Sequence, residues 1–230
     1  MAREVLLLNE DEQIIDPREI ILDAFNKMGQ ELPPPPRAEE HLIVNSPVAF
    51  FEQAIPSDLV DLIIKEYDNI PKDQFQDSEV GPNAMEGQTI VKLRDSRVSW
   101  WYEQHWISSI FSHYFNIANR ELWEYDLNYL NGIQVTTYDQ KGHYTWHSDY
   151  GTTTDRKYTR KLSASLLLSD PEEYEGGKFQ IMDYHGRVVM PPQKKGTMII
   201  FDSRVPHRVT KIKSGKRISL VSWMLGPKLR

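Results

Sequence analysis

The sequence predicts an α+β fold in which a jelly-roll core (a double-stranded β-helix) carries N-terminal helices packed on one of its sheets. Three observations lead to this prediction. Helical periodicity is confined to the first half of the chain, eight short β-prone segments follow between residues 132 and 224, and the sequence contains no internal repeat. Short strands that follow one another without intervening helices are typical of double-sheet barrels and jelly rolls.

The first 46 residues are predicted to form an arm. A short helix over residues 17–28 precedes four consecutive prolines at 33–36. Prolines lack N–H donors, so this run can continue neither a helix nor a central strand, and we expect an extended polyproline linker. The chain therefore divides into an N-terminal arm at 1–46 and a domain at 47–230, whose jelly-roll core spans about 130–226.

Two amphipathic helices are predicted at the start of the domain. The first covers 57–68, where Leu59, Leu62 and Ile63 form an apolar stripe. The second covers about 101–125, where large apolar residues recur at spacings of three and four. These residues are Trp106, Ile110, Phe111, Tyr114, Ile117 and Leu122. We expect both stripes to pack into the core.

The predicted strands are short, rich in β-branched or aromatic residues, and separated by Gly, Pro, Asn or Asp. They cover residues 132–139, 144–150, 161–170, 177–183, 186–190, 196–202, 207–213 and 217–224. Between the second and third strands, residues 150–161 ("YGTTTDRKYTRK") form a polar segment that is predicted to be a loop at the mouth of the barrel.

Composition excludes several classes of partner and site. The 230 residues carry a formal net charge of −6, whereas nucleic-acid-binding surfaces need clustered Lys and Arg. The N-terminal apolar stretch is too short for a secretory signal or a membrane span, so we expect a cytoplasmic protein without a membrane partner. The chain has no cysteine, so a metal would have to be held by imidazole and oxygen ligands. The oligomeric state stays open.

The stretch "YTWHSDYG" places His147 and Asp149 two positions apart in a predicted strand. Successive side chains of a strand alternate faces, so these two side chains are expected to project together. A buried carboxylate needs either a cation or several hydrogen-bond donors. On this spacing alone, a metal site and a hydrogen-bonded structural pair are both open.

A third candidate ligand, His207, begins the penultimate predicted strand. In a jelly roll the second and penultimate strands lie side by side, so His207 can join His147 and Asp149. Two imidazoles and one carboxylate leave three adjacent coordination positions open, as in non-haem Fe(II) oxygenases. Zn(II) is also compatible with these ligand types.

The last strand predicts a carboxylate receptor behind this metal site. In "KRISLVSW", Arg217, Ser219, Val221 and Trp223 alternate onto one face. A guanidinium inside a barrel is unfavourable without an anion, and its planar fork matches a carboxylate in bidentate geometry. We therefore expect a dicarboxylate co-substrate that chelates the metal at one end and contacts Arg217 and Ser219 at the other.

Taken in order, these motifs resemble the 2-oxoglutarate and Fe(II)-dependent dioxygenases, specifically the prolyl 4-hydroxylase-like branch. The resemblance covers about residues 90–226. It is carried by "RDSRVSWW", "QVTTYDQKGHYTWHSDYG", "LSASLLLSDPEEYEGGKFQI", "GTMIIFDSRVPHRV" and "GKRISLVSW". No single motif is specific, but their order and spacing are.

The resemblance implies Fe(II) on His147, Asp149 and His207, with the distal carboxylate of 2-oxoglutarate on Arg217 and Ser219. It also implies O₂ as the second substrate, with ascorbate as a further candidate cofactor.

The resemblance also places Tyr138 beside the co-substrate or substrate. Some relatives have a co-substrate-binding Tyr where this chain has Leu167, so another hydroxyl is expected to replace it.

For the substrate, Arg94 and Ser96 match an Arg-x-Ser element beside the substrate channel of prolyl hydroxylases, with Arg97 as the alternative arginine. The full set of candidate substrate residues is Arg94, Ser96, Tyr144, Tyr158, Arg160 and Trp223.

The expected activity is hydroxylation of a peptidyl residue, with proline as the first candidate, and release of succinate and CO₂. The partner would then be a proline-containing peptide or protein. Two alternatives stay open: the same chemistry on a free amino acid, small metabolite or nucleobase, and a cupin-like metal- or sugar-binding module without turnover. An open groove would favour a peptide, a closed pocket a metabolite, and a buried carboxylate receptor would argue against the binding module.

Overall fold

A computed structural model describes residues 47–78, 93–102, 104–151 and 157–228. The predicted arm, with its helix at 17–28 and its proline run, lies outside these residues. The division of the chain into an arm at 1–46 and a domain at 47–230 therefore stays a prediction.

The described residues form two α-helices, two one-turn 3₁₀ helices and fourteen strands. The helices are α1 (Ser57–Asp68) and α2 (Ile107–Leu122), and the 3₁₀ helices are Lys72–Gln74 and Pro171–Glu173. The strands are β1 (Val48–Phe51), β2 (Gln76–Asp77), β3 (Arg94–Asp95), β4 (Arg97–Trp101), β5 (Tyr129–Tyr138), β6 (His143–His147), β7 (Tyr158–Leu167), β8 (Tyr174–Gly176), β9 (Phe179–Met182), β10 (Val188–Val189), β11 (Met198–Asp202), β12 (His207–Val209), β13 (Ile212–Gly215) and β14 (Arg217–Pro227).

The strands form two main antiparallel sheets. The seven-stranded major sheet has the order β1-β11-β7-β14-β5-β4-β2, and the five-stranded minor sheet has the order β10-β9-β12-β6-β3. A further pair, β13 and β8, stands beside them. Most neighbouring strands are not consecutive in sequence, which is typical of the crossovers of a jelly roll. The predicted jelly-roll core with helices on one sheet is confirmed.

The first core lies between the major sheet and the helices. Helix α2 packs on β5, β7, β11 and β14. Its Phe111 and Phe115 are fully buried, together with Ile63 of α1 and Ile133 and Leu166 of the sheet. The helices cover one sheet because their apolar stripes pack on the outer face of the major sheet.

The second core lies between the two sheets. Phe179 and Ile181 of the minor sheet meet Ile199 and Phe201 of the major sheet there. Strand β11 is buried on both faces, since Ile200 belongs to the helix-side core while its neighbours belong to the inter-sheet core. The continuous apolar run "MIIF" follows from this double burial.

Several predicted boundaries are wrong. The second helix begins at Ile107 because "RVSWW" forms β4 instead. In α1 the buried stripe uses Val60 and Ile63, and Leu62 is 44% exposed. Within the described residues, neither α-helix is long and apolar enough to span a membrane.

The strand boundaries also differ near the mouth of the barrel. Strand β6 ends at His147, three residues before the predicted end. Tyr158–Lys161 belongs to β7 and not to the predicted loop at 150–161. The predicted strand at 207–213 is two strands, β12 and the start of β13, which join different sheets.

We predict that Phe115→Ala lowers the free energy of unfolding by about 3–5 kcal/mol, because it removes a large ring from a packed core and leaves a cavity. Chemical denaturation monitored by circular dichroism measures this change. The control is Tyr102→Ala, at a side chain that is 75% exposed, for which a change within about 0.5 kcal/mol is expected. Equal destabilisation by the two substitutions would contradict the assignment of α2 to the core.

Candidate metal centre and co-substrate pocket

The two histidines of the site face each other across neighbouring strands. β6 and β12 are antiparallel partners, with His207 directly opposite His147, and the ring centroids are 4.1 Å apart. Nδ1 of His147 lies 2.8 Å from the carbonyl oxygen of Thr145, and Nδ1 of His207 lies 3.2 Å from that of Val205. A carbonyl oxygen can only accept, so each Nδ1 carries the proton and each Nε2 keeps its lone pair. Both rings are thereby held in the tautomer that can bind a metal through Nε2.

Asp149 reaches the histidines from the turn that follows β6, and not from the strand itself as predicted. Its backbone N–H donates to the carbonyl of Ser203 (3.0 Å), which fixes the turn against the end of β11. Its Oδ2 accepts hydrogen bonds from Ser163 Oγ and Trp223 Nε1, both at 2.8 Å. Oδ2 lies 3.4 Å from His207 Nε2, and Oδ1 lies 3.9 Å from His147 Nε2.

Burial and neighbouring charges together set the charge state of these three groups. Burial, then the neighbouring His207, lowers the pKa of His147 to about 3, and burial also lowers the pKa of His207. Burial alone would raise the pKa of Asp149, but the cationic forms of His207 and His147, then Arg160, outweigh it and hold that pKa below its usual range. At neutral pH the site therefore offers two neutral imidazoles and one carboxylate, the state that binds a divalent cation.

The donor set fits Fe(II). One ligand atom from each of His147, Asp149 and His207 lies within 4.8 Å of the others. Two imidazole nitrogens and one carboxylate oxygen are the ligands of non-haem Fe(II) oxygenases, and they leave adjacent positions for other ligands. Among the described residues, this is the one group of three or more His, Cys, Asp or Glu side chains that converges in this way.

Arg217 is a buried cation at the other end of the same cavity. It is 2% exposed, and its Nη1 donates to Ser219 Oγ at 2.9 Å. Its guanidinium carbon lies 5.7 Å from the centroid of the Tyr138 ring. Within the described part of the chain, its Nε has no hydrogen-bond partner and no carboxylate lies within 4.0 Å of it. A buried guanidinium with neutral partners fits an anionic ligand such as the carboxylate of 2-oxoglutarate.

One cavity of about 250 Å³ connects the metal ligands to Arg217. Both sheets contribute to its wall, and Phe179 and Phe201 make it apolar around His207, with ring centroids 5.9 and 4.6 Å from the imidazole. The residues that line it are Arg94, Gln134, Tyr138, Tyr144, His147, Asp149, Arg160, Ser165, Phe179, Phe201, His207, Val209, Arg217, Ser219, Val221 and Trp223.

Four of the six candidate substrate residues line this cavity. Tyr144 stacks on His147 with the rings 3.4 Å apart and 14° from parallel. Arg94 lies 4.6 Å from the centroid of the Tyr144 ring, and Arg160 lies 3.8 Å from that of Trp223. All four side chains surround the metal-ligand end of the cavity.

The other two candidates do not line the cavity. Ser96 is buried and accepts a hydrogen bond from Arg94 Nε at 2.9 Å, so it supports Arg94 from behind. Tyr158 contacts the Tyr129 ring edge-on at 5.6 Å. Arg97, the alternative to Arg94, is a surface residue paired with Asp139 at 3.0 Å.

The position of the expected co-substrate-binding Tyr is apolar, as predicted. Leu167 is buried opposite Ser219 in the sheet register and does not line the cavity. Ser165, two residues earlier on the same face of β7, does line it, as does Tyr138. These two hydroxyls are the candidates to replace the missing one.

Sequence reasoning missed Gln134, Ser163 and Ser165. A signal was present for each: Ser163 and Ser165 alternate with apolar residues in "LSASLLL", and Gln134 interrupts a β-branched strand. A polar side chain repeated at period two inside a buried strand indicates a face turned toward a polar site.

Comparison with known proteins agrees with this site. Residues 133–225 match the family described as the 2OG-Fe(II) oxygenase superfamily. Among curated proteins, a PKHD-type hydroxylase of Crocosphaera subtropica is 30% identical over 97 residues, which are 42% of this chain and 43% of that protein. The match therefore spans less than half of that relative.

Solved structures share the fold. One is a prolyl hydroxylase of Trichoplax adhaerens in complex with a peptide fragment of the hypoxia inducible factor oxygen degradation domain. It superposes with a TM-score of 0.66 at 16% sequence identity, and the match covers 81% of this chain and 86% of that chain. A prolyl-4-hydroxylase of Pseudomonas putida superposes with a TM-score of 0.61 at 19% sequence identity, and the match covers 79% of this chain and 94% of that chain. At these identities the likeness establishes the jelly-roll fold.

We predict that Ser163→Ala and Trp223→Phe each weaken metal binding by about 10- to 100-fold, because each removes a hydrogen bond that orients Asp149. Titration of the apoprotein with Mn(II), followed by electron paramagnetic resonance, measures the affinity without turnover. Ser109→Ala, at an exposed serine on α2, is the matched control and should leave the affinity unchanged. Unchanged affinity in both site variants would show that Asp149 needs no such support.

Proposed function

We propose that this chain is a hydroxylase that uses Fe(II), 2-oxoglutarate and O₂, because residues 133–225 match the 2OG-Fe(II) oxygenase superfamily. We propose further that it acts on a peptidyl residue, with proline as the first candidate. The observation that carries the proposal is Arg217: a buried guanidinium with neutral partners in the same cavity as a His-Asp-His set. A metal-binding module without turnover would not need a buried receptor for a carboxylate.

We assign His147, Asp149 and His207 as the Fe(II) ligands, and Arg217 with Ser219 as the receptor for the distal carboxylate of 2-oxoglutarate. The support is the convergence of the three ligand atoms and the hydrogen bond from Arg217 to Ser219. When bound, Fe(II) and 2-oxoglutarate supply an oxidative decarboxylation, with release of succinate and CO₂, that is coupled to hydroxylation of an unactivated C–H bond.

The protein's own groups do three things in this scheme. Arg217 fixes the distal end of the co-substrate and so sets its orientation along β14. Ser163 and Trp223 hold Asp149 Oδ2 in place beside the two imidazoles. Phe179 and Phe201 keep water from the inner side of the site, which protects a reactive centre from unproductive oxidation.

Two observations support a peptidyl substrate. Curated relatives are named PKHD-type hydroxylases, and one structure of the same fold holds a peptide fragment. The alternative is a small substrate such as a free amino acid, a metabolite or a nucleobase. A screen of proline-containing peptides for a mass gain of one oxygen, with free L-proline alongside, separates the two.

We predict that the wild-type protein gives a weak visible charge-transfer band when Fe(II) and 2-oxoglutarate are added without O₂. Arg217→Gln should keep its affinity for Fe(II) but lose about two orders of magnitude in affinity for 2-oxoglutarate, since it removes one partner of a buried charge pair. Asp149→Ala should lose metal binding and turnover together.

The control for these variants is Arg187→Gln, at an exposed arginine that contacts Asp183 outside the cavity. It should behave as the wild type. Absence of the band in the wild type, or succinate production by Asp149→Ala, would contradict the proposed function.

A further inference from the structure

The turn that follows β11 contacts two of the three assigned metal ligands. It covers residues 202–205. The carbonyl oxygen of Ser203 accepts the backbone N–H of Asp149 at 3.0 Å, and the carbonyl oxygen of Val205 accepts Nδ1–H of His207 at 3.2 Å. One carboxylate and one imidazole are therefore oriented from the same turn, and a shift of the turn would move both ligands.

The side chain of Ser203 makes a second link to Asp149. Ser203 Oγ lies 2.8 Å from Ser163 Oγ, which donates to Asp149 Oδ2. A hydroxyl carries one proton, so Ser163 accepts from Ser203 while it donates to Asp149. Ser203 is fully buried, and its backbone N–H donates to the carbonyl oxygen of Lys161 on β7 at 3.0 Å. Ser203 thus restrains both the backbone and the carboxylate of Asp149.

Asp202 closes this turn with its own side chain. Its Oδ1 accepts the backbone N–H of Arg204 at 2.9 Å, two residues further on, as in an Asx turn. Its carbonyl oxygen accepts the N–H of Val205 at 3.1 Å. Arg204 Nε lies 3.0 and 3.1 Å from the two carboxylate oxygens, so the same residue balances the buried charge. The conformation of the turn therefore depends on the Asp202 carboxylate.

Two tyrosines from distant elements also hold Asp202. The hydroxyl of Tyr125, between α2 and β5, donates to Oδ2 at 2.7 Å, and that of Tyr184, between β9 and β10, donates at 3.0 Å. Burial alone would raise the pKa of Asp202, but hydrogen bonds from Arg204, then Tyr125, hold it below its usual range. An Asx turn needs only the bond from the Arg204 N–H, so the tyrosines are not required to close it. They fix the position of the closed turn.

We propose that Asp202 is a positioning residue for the metal centre: through the turn at 202–205 it holds Asp149 and His207 in their metal-binding orientation before the metal binds. This inference rests on the proposed function, because it uses the ligands assigned there. Asp202 does not line the cavity, so it acts through the carbonyl oxygens of the turn. Groups that orient metal ligands contribute about 10- to 100-fold to metal affinity, since ligands that are already ordered lose less conformational freedom on binding.

The test measures metal affinity without turnover. The apoprotein is titrated with Mn(II), and free Mn(II) is followed by electron paramagnetic resonance. Asp202→Ala should weaken binding by about 10-fold or more, because it removes the acceptor that closes the turn. Asp202→Asn keeps that acceptor and should restore the affinity to within about 3-fold of the wild type. Circular dichroism checks that each sample is folded.

Two control variants separate positioning from general stability. Phe115→Ala lowers the stability of the protein through the helix-side core. Asp170→Ala removes a carboxylate that also caps a turn, since its Oδ1 accepts the Glu172 N–H at 3.1 Å, but this residue does not line the cavity. Both controls should stay within about 2-fold of the wild-type affinity, because sites without shared partners act independently.

Three outcomes overturn the inference. They are wild-type affinity in Asp202→Ala, a loss in Phe115→Ala as large as that in Asp202→Ala, and no recovery in Asp202→Asn. If Asp202→Ala does not fold, Arg204→Gln, at a side chain that is 44% exposed, carries the same comparison. Its expected loss is about 3-fold or more, and an unchanged affinity would overturn the inference. Failure of the wild type to bind Mn(II) would instead refute the metal site of the proposed function, and this inference with it.

Discussion

Charged groups enclosed between two sheets are the constraint from which the rest of this site follows. Asp149 and Arg217 are both almost fully buried, yet they lie at opposite ends of one cavity and do not neutralise each other. Asp149 is held by two hydrogen-bond donors, and two imidazoles and the Arg160 guanidinium lie beside it. The Arg217 guanidinium contacts a serine hydroxyl and an aromatic ring, which are both neutral, so an anion is needed to balance its charge. A divalent metal at Asp149 and a dicarboxylate at Arg217 would balance the two buried charges together.

The jelly roll positions these groups because the two faces of strand β14 lie in different environments. Along β14, Leu220 and Met224 enter the helix-side core, while Ser219 and Trp223 face the cavity with Arg217. The helices that cover the outer face of the major sheet thus fix the inner face as well, since the alternation of a strand cannot be changed on one side alone. Packing of α2 and chemistry inside the barrel are coupled through this register.

The sequence was sufficient where local periodicity and spacing determine structure. The strand alternation of "KRISLVSW" placed Arg217, Ser219 and Trp223 on one face, and the structure agrees. The side-by-side arrangement of His147 and His207 followed from jelly-roll connectivity and is also observed. The predicted resemblance to the 2OG-Fe(II) oxygenases and the predicted fold are confirmed, whereas the activity, the residue roles and the peptide substrate remain proposals.

The sequence was insufficient where tertiary contacts determine structure. Strand β6 ends at His147 because the backbone of Asp149 turns to bond Ser203, a partner 54 positions away that no local pattern reveals. Arg94 is buried because a two-residue edge strand brings it against β6, and such short strands carry no periodic signal.

The most direct test of the central claim is a crystal structure of the protein with Mn(II) and N-oxalylglycine, an inert analogue of 2-oxoglutarate. The account predicts the metal on His147, Asp149 and His207, and the far carboxylate of the analogue on the Arg217 guanidinium at about 2.7–2.9 Å. A metal bound elsewhere, or an analogue that leaves Arg217 without a carboxylate, would contradict it.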